Sequence, residues 1–267
     1  MPRPLVLLVN DDGYKAEGMR SVAAAVLEFA DVVCLAPAVN QSAKSMSISL
    51  ALPLKLEKHE EPAADAPRKL WVFSLTGTPV DCVIFAFHKL LPDLGLKPDC
   101  VVSGINHGAN LGADLLVSGT VGAAMYASVH YGILAVAASV VHRSATSQPE
   151  HPTAADPGHV VAEKLEFGTA SSFVGTFVHR LLDSTVPTLR DVIFNINVPN
   201  DGLATRGPPS AYAITSPGSV NYTGPAFVQK PGSTDFFLSG TPALLDIPGS
   251  DCNAVSAGVI SVTPLSV

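Results

Sequence analysis

The sequence predicts an α/β fold, with a Rossmann-like three-layer αβα core around a mostly parallel sheet and a β-rich C-terminal extension. Residues 5–9 and 32–36 are short apolar runs, which are typical of strands buried on both faces of a sheet. Between them, residues 17–29 repeat apolar side chains at helical spacing. This strand–helix–strand order favours a parallel sheet. Beyond residue 202, Pro, Gly and Ser accumulate between short strand-like runs, which predicts the extension.

The remaining elements follow from the same two periodicities. Apolar runs predict strands over residues 50–56, 70–75, 100–102, 133–141, 192–198 and 259–263. Helical spacing predicts helices over residues 79–91, 121–130 and 160–182, the last one broken at Gly168 and Gly175. Polar or Pro-containing connections are predicted over residues 40–49, 57–67, 103–120 and 142–158. We therefore divide the chain into a core, residues 1–200, and an extension, residues 201–267, whose last strand returns to the core.

Composition narrows the class of protein. Of the 267 residues, 47% are apolar and 15% are charged, and so little charge suggests a surface partly covered by another subunit. A net charge of −7 without a basic stripe argues against a nucleic-acid polymer as partner. No signal-peptide pattern precedes the first strand, and no apolar run approaches the roughly 18 residues of a membrane span. The four cysteines are scattered without a CxxC motif. We expect a cytoplasmic protein with buried free thiols and no membrane contact.

Two adjacent acids, Asp11 and Asp12, follow the first predicted strand directly. Their negative charges repel one another, and a divalent cation such as Mg²⁺, Mn²⁺ or Ca²⁺ would relieve that repulsion through hard oxygen ligands. Gly13 permits a tight turn and close approach of a ligand to the backbone. By themselves, the same residues also fit an Asx-turn that caps the following helix.

A second polar loop, which contains Ser42, follows the second strand, and a hydroxyl there can complete an oxygen-rich metal site. A third loop, residues 103–112, alternates glycines with amides, so that it offers N–H groups to an anion and amide oxygens to a cation. Its candidate binding residues are Gly104, Asn106, Gly108 and Asn110. Ser118, Gly119 and Thr120 precede a predicted helix, and a helix N-terminus with hydroxyls is suited to phosphate.

Other catalytic templates are missing from the sequence. It contains no GxxxxGK[ST], GxSxG or HExxH motif, and no GxGxxG follows the first strand. His107 lies inside the third loop, where an acid–base role and a surface role are both open. The loops at the strand ends therefore remain the candidate site, because ligands of open α/β sheets bind at the carboxyl ends of strands.

Together these stretches resemble the SurE (survival protein) nucleotidases. The likeness rests on residues 9–13, on Ala36-Pro37 with Gln41-Ser42, on residues 77–82, on the run 103–112 and on residues 118–121. Residues 249–251 and 258–265 also look like the family's C-terminal ending. The resemblance implies metal-dependent hydrolysis of phosphate monoesters, typically nucleoside 5′- and 3′-monophosphates. It implies one divalent ion per subunit, Mg²⁺ or Mn²⁺, held by Asp11, Asp12, Ser42 and Asn106.

The resulting hypothesis is a 5′-nucleotidase in which Asp11 and Asp12 are catalytic through the metal. Ser118, Gly119, Thr120 and the N–H groups near Gly108 and Asn110 would hold the phosphate, and Asn10 would support the acidic pair. The family likeness also implies a homodimer or homotetramer assembled partly through the extension. Two alternatives remain: a non-catalytic module that senses a nucleotide or metal, and a phosphatase for another substrate such as short polyphosphate. The chain departs from the family's usual residues at Ala38, Lys44, Met46, Val117 and Met125-Tyr126, which bears on substrate preference.

Overall fold

A computed structural model describes residues 3–141, 165–184, 191–200, 211–223, 227–229, 232–238 and 241–266. The strands are β1 (Leu5–Val9), β2 (Asp31–Pro37), β3 (Leu56–Glu60), β4 (Leu70–Leu75), β5 (Cys100–His107), β6 (Leu134–Val141), β7 (Val192–Pro199), β8 (Tyr212–Ile214), β9 (Val220–Thr223), β10 (Phe227–Gln229), β11 (Phe236–Leu238), β12 (Thr241–Leu244) and β13 (Ile260–Ser266). The helices are α1 (Glu17–Val26), α2 (Pro79–Phe85), α3 (Leu91–Leu94), α4 (Gly119–Tyr131), α5 (Gly168–Asp183) and α6 (Asp251–Ser256).

Nine strands form the main sheet in the order β3-β4-β2-β1-β5-β6-β7-β13-β8. The six strands from β4 to β7 in that order are parallel, as the strand–helix–strand pattern predicted. Antiparallel pairing occurs where β3 joins β4 and where β13 joins β7. The strands β10 and β11, and likewise β9 and β12, form small separate ribbons. The predicted α/β class with a mostly parallel sheet is confirmed.

The apolar side chains of the central strands alternate between two cores. Val6 and Leu8 point to the face covered by α1 and α5, whereas Leu7 and Val9 point to the face covered by α2 and α4. Burial on both faces explains why β1 is apolar at every position and not only at alternate ones. The three layers follow directly, because helices cover each side of the sheet.

The helix α2 begins as its sequence predicts. The Thr78 hydroxyl accepts a hydrogen bond from Asp81 N at 3.1 Å, while the Asp81 carboxylate accepts one from Thr78 N at 2.8 Å. Pro79 occupies the first turn, where its missing N–H would have no partner in any case. The helical path continues as a π-helical stretch, Ala86–Leu90, into α3, so the predicted helix over residues 79–91 is found with a change of pitch.

The prediction of a strand over residues 50–56 is wrong. The strand β3 starts only at Leu56 and runs to Glu60, inside the segment predicted as a loop. Leu50 and Leu52 are exposed, and Pro53 has no N–H to donate to a ladder. Every residue of β3 is exposed, and the strand exists because it pairs with β4 at the sheet edge.

Two further boundaries differ from the prediction. The strand β5 continues from Val102 through His107, so that only residues after 107 form the predicted third loop, and residues 112–116 are a 3₁₀ turn. Helix α5 begins at Gly168 and passes through Gly175 without a break, because that glycine packs against Ala25 of α1. The predicted connection over residues 142–158 and the first residues of the predicted 160–182 helix lie outside the described residues. Among the described helices, none is long and apolar enough to cross a membrane.

The strand order reverses direction at β1. From β1 the chain passes to β2 on one side, and it later returns to β5 on the other. At such a switch point, the loops that leave adjacent strands diverge and open a crevice at their carboxyl ends. The turn after β1, the loop after β2 and the end of β5 meet at this crevice.

Candidate active site

Asp11 lies at the centre of the crevice and is only 3% exposed. Its Oδ1 accepts a hydrogen bond from the Thr120 hydroxyl at 2.7 Å, which ties the acid to the first turn of α4. Burial, reinforced by the neighbouring negative charge of Asp12, raises the pKa of Asp11 to about 6, although the Thr120 hydrogen bond opposes the shift. A buried acid beside a second acid is therefore poorly stabilised in its ionised form unless a cation is added.

Asn10 closes the turn that carries the two acids. Its Nδ2 donates to Gly13 O at 2.9 Å, and its Oδ1 accepts from Gly13 N at 3.1 Å. The side chain is fully buried. These bonds fix the backbone turn on which the two acids are displayed.

Asp12 is half-buried and joins the three loops of the crevice. Its Oδ2 accepts from His107 N at 2.9 Å, and its Oδ1 accepts from Asn40 Nδ2 at 3.3 Å. One bond leads to the end of β5 and the other to the loop after β2. The carboxylate is consequently held at the point where those two segments converge.

Ser42 belongs to the loop after β2, which two hydrogen bonds fix beside the acids. Gln41 N donates to Asp11 O at 2.7 Å, and Ser42 N donates to the Asn40 side chain at 2.9 Å. Ser42 itself is exposed. Ser42 therefore directly follows Gln41, the residue that is hydrogen-bonded to Asp11, and its hydroxyl is accessible to solvent.

Asn106 lies near the end of β5 and is 9% exposed. Its Nδ2 donates to Gly108 O at 2.9 Å, and no described residue donates to its Oδ1. The pairing of β5 with β6 is irregular between Ser103 and Asn106. Gly104 lies in this irregularity at φ +129°, where a Cβ would come within 2.3 Å of Ala138 O, so this close approach admits only glycine.

Asn110 faces away from the crevice into a buried network. Its N donates to Asn197 Oδ1 and its Nδ2 donates to the Ser139 hydroxyl. Its carbonyl oxygen accepts from the side-chain amides of Asn195 and Asn197 at 2.8 and 2.9 Å. Because these atoms all have protein partners, Asn110 is suited to fixing the loop more than to contacting a phosphate.

The first residues of α4 border Asp11. The Ser118 hydroxyl caps the helix by accepting from Val121 N at 3.0 Å. The first N–H groups of a helix have no acceptor inside it. The N–H group of Thr120 stabilises the Asp11 carboxylate through a backbone hydrogen bond, and that of Gly119 is suited to an added anion. A Cβ on Gly119 would lie 3.0 Å from Asp11 Oδ2, so the backbone at this helix start is in close contact with the acid. The Thr120 hydroxyl donates its proton to Asp11, whereas the Ser118 hydroxyl only accepts and still has a proton to donate.

His107 is exposed, and its imidazole ring lies against the Phe167 ring with 5.0 Å between centroids. Only its backbone N contacts an acid, as described for Asp12. The side chain therefore has a packing role in this structure, and an acid–base role has no geometric support here.

Sequence reasoning missed Asn40, Asn195 and Asn197. Asn40 follows a predicted strand within a polar loop, where nothing distinguishes it from its neighbours. Asn195 and Asn197 did leave a signal, since they alternate with apolar residues along a strand that is otherwise buried, so that two amides share one face of β7. A buried amide needs partners, and theirs is the backbone of the loop between β5 and α4.

The chemistry of the donors fits a hard divalent cation. Asp11, Asp12, Ser42 and Asn106 offer only oxygen atoms, the ligand type that Mg²⁺ and Mn²⁺ prefer. The raised pKa of Asp11 marks a buried negative charge that a cation would stabilise. Among the described residues, no group of three or more His, Cys, Asp and Glu side chains is placed to hold a metal ion. The proposed set instead combines two carboxylates with a hydroxyl and an amide.

The chain is similar in sequence and in structure to proteins of one family. The family model described as Survival protein SurE matches residues 6–224. A protein of Geotalea daltonii named 5′-nucleotidase SurE is 37% identical over 264 residues, which cover 97% of this chain and 92% of that protein. A Vibrio cholerae protein of the same name is 34% identical, with 98% and 91% covered. The crystal structure of SurE protein from Aquifex aeolicus superposes with a TM-score of 0.69 at 28% identity, covering 98% of this chain and 93% of that one. The chain belongs to the survival protein SurE family.

Proposed function

We propose that this chain is a metal-dependent 5′-nucleotidase that releases phosphate from nucleoside 5′-monophosphates, and also from 3′-monophosphates. The observation that carries the proposal is the contact of Asp11 with the start of α4. A buried acid of raised pKa and the N-terminus of a helix lie side by side. The first is suited to a cation and the second to a phosphate, which are the two requirements of metal-assisted phosphoryl transfer.

The residues of the chain divide the work as follows. Asp11, Asp12, Ser42 and Asn106 would hold one Mg²⁺ or Mn²⁺ ion. When bound, such an ion polarises a phosphoryl oxygen and lowers the pKa of a coordinated water. The N–H group of Gly119, at the N-terminus of α4, orients the phosphate and offsets the charge that develops on its oxygens. Asn10 and Asn40 hold the acids in place.

Three finer statements belong to the same proposal. The active protein is a homodimer or homotetramer, its extension beyond residue 200 contributes to the assembly, and it works in the cytoplasm. The support for the assembly is the low fraction of charged residues together with large exposed apolar side chains such as Leu50, Leu116 and Phe227. The support for the location is that the four cysteines are free.

The test is release of inorganic phosphate from a nucleoside 5′-monophosphate with Mn²⁺ or Mg²⁺, with and without a chelator. We expect turnover that the chelator abolishes. Asp12→Asn keeps the size of the side chain but removes its negative charge and one of its two oxygen ligands. It should therefore lower kcat/KM by about a hundredfold or more. Asp99→Asn is the matched control, because Asp99 accepts a hydrogen bond from Leu5 N at the other end of β1.

Three results would contradict the proposal. Near-normal turnover of Asp12→Asn would remove the metal assignment. Nucleotide binding without phosphate release would favour the non-catalytic sensing module. Release from short polyphosphate but from no nucleoside monophosphate would replace the substrate class while leaving the chemistry intact.

A further inference from the structure

The C-terminal stretch Gly249-Ser250-Asp251 has no part in the site described above, although it lies in the sequence among the family-like motifs. Asp251 is the first residue of α6 and is 0% exposed. A buried carboxylate needs donors, and three backbone N–H groups supply them. Gly218 N and Cys252 N donate to Oδ1 at 2.6 and 2.7 Å, and Gly112 N donates to Oδ2 at 2.9 Å.

One of these three donors belongs to the loop between β5 and α4. Gly112 lies between Asn110 and the start of α4, whereas Gly218 and Cys252 belong to the extension. The backbones approach so closely that a Cβ on Gly112, which has φ +50°, would lie 2.8 Å from Gly218 O. The two oxygens of Asp251 therefore bridge the loop and the extension at a contact that has no room for another side chain.

Two neighbouring contacts strengthen this junction. Leu111 is buried in a small apolar cluster with Val220, Cys252 and Val255 of the extension. Tyr222 donates its hydroxyl to Asp114 Oδ2 at 2.6 Å. The loop is thus fixed on two sides, by the amides of β7 at Asn110 and by the extension from Leu111 to Asp114.

We propose that Asp251 is a positioning residue of the active site: by holding Gly112, it sets where the N–H groups at the start of α4 lie relative to Asp11. Only five residues separate Gly112 from Ser118, and most of them form a compact 3₁₀ turn that transmits a displacement. The inference rests on the proposed function, because the loop matters to catalysis only if the start of α4 binds the phosphate.

Asp251→Asn tests the proposal, because it preserves shape but turns one accepting oxygen into an NH₂ group that faces a backbone N–H. We expect hydrogen–deuterium exchange to rise in residues 108–120 and to stay unchanged in β1 and β2. We expect kcat for a nucleoside 5′-monophosphate to fall about tenfold and the Kd of inorganic phosphate to rise about tenfold, because both depend on the displaced N–H groups. The Mn²⁺ concentration at half-maximal activity should stay within about twofold, since the metal-binding acids are not on this loop.

Val178→Ala is the control for a general loss of stability, because Val178 is buried in α5 far from the loop. It should lower Tm without changing exchange in residues 108–120 or the Kd of phosphate. If Asp251→Asn fails to fold, Gly112→Ala separates the same two backbones while leaving Asp251 its other two donors, and the same results are expected. Unchanged exchange and unchanged phosphate affinity in a folded variant would overturn the proposal. A wild-type chain without turnover would refute the proposed function instead. In that case, hydrogen–deuterium exchange and the Kd of phosphate would still test the role of Asp251.

Discussion

Asp11 shows how a single residue links stability to function. Its pKa rises from 3.8 to about 6 because burial disfavours the charged carboxylate. The folded protein therefore binds this proton more tightly than the unfolded chain does. As pH rises from about 4 to above 6, the metal-free fold loses stability, by an amount on the order of 3 kcal/mol. Above that window the loss is complete, and below it there is none.

Asp11→Asn should accordingly stabilise the metal-free protein while abolishing activity. With chelator present at pH 7.5, we expect its Tm to exceed that of the wild type by roughly 5 °C or more, and the gap to shrink as pH falls toward 4. The introduced amide oxygen can still accept the Thr120 hydrogen bond, so the comparison isolates the charge. Adding Mn²⁺ should raise the Tm of the wild type but not that of Asp11→Asn. Equal Tm values across this pH range in chelator would refute the assignment of a destabilised carboxylate.

Individual site residues could be predicted from the sequence where they directly follow a recognisable strand. Asp11 and Asp12 could be predicted because they follow a buried strand, and the structure places them at the switch point. Asn40 could not be predicted, since its contact with Asp12 depends on how two loops converge in space. Asn110 was assigned to phosphate, whereas its partners in the structure are Ser139 on β6 and Asn195 and Asn197 on β7, which are distant along the chain.

The start of α4 is the element whose geometry matters most. Gly119 occupies its first position and is in close contact with Asp11, and a Cβ there would also lie 3.2 Å from the Pro79 side chain. Alanine favours helices by about 1 kcal/mol over glycine in a helix interior. An alanine at position 119 would therefore gain helix propensity but would crowd the side chains of Asp11 and Pro79.

Gly119→Ala should lower kcat/KM by about tenfold or more, because the added methyl displaces either Asp11 or the helix start. Gly168→Ala at the first position of α5 is the matched control, since nothing lies within 4 Å of a Cβ at that position. The control should keep full activity with unchanged or slightly higher Tm. Equal activity of both variants, measured as phosphate release, would show that the contact with Asp11 is unimportant.

Buried elements could be predicted and edge elements could not. β1, β2 and β6 are mostly apolar on both faces because helices cover both of them. β3 is exposed at each of its residues and is held mainly by pairing with β4, so its sequence carries no periodic signal. The helix over Gly175 was predicted to break, yet the glycine is where α5 packs closely on α1.

The order of elements along the chain was sufficient to predict the αβα core with its mostly parallel sheet, because strand–helix–strand units permit few arrangements. The placement of the C-terminal strands was harder. β8 and β13 lie beyond the boundary set at residue 200, yet they extend the main sheet next to β7. Only the returning last strand was foreseen, from its apolar run over residues 259–263.

The surface of the whole molecule predicts self-association. Val39, Leu50, Leu52 and Leu116 are each more than 60% exposed, on segments around the crevice. Large exposed apolar side chains that form a contiguous surface are typical of an interface, which is what the proposed assembly requires. Sedimentation velocity at micromolar concentration should give a dimer or tetramer. A monomer at every concentration tested would contradict the proposed assembly.

The most direct test of the central claim is the stoichiometry of Mn²⁺ binding, followed by electron paramagnetic resonance of the free ion. Four oxygen donors from three strand ends should bind one Mn²⁺ per subunit in the wild type. Asp12→Asn should bind none at the same concentrations, and Asp99→Asn should bind as the wild type does. Undiminished binding by Asp12→Asn, or no binding by the wild type, would contradict a metal centre built on Asp11 and Asp12.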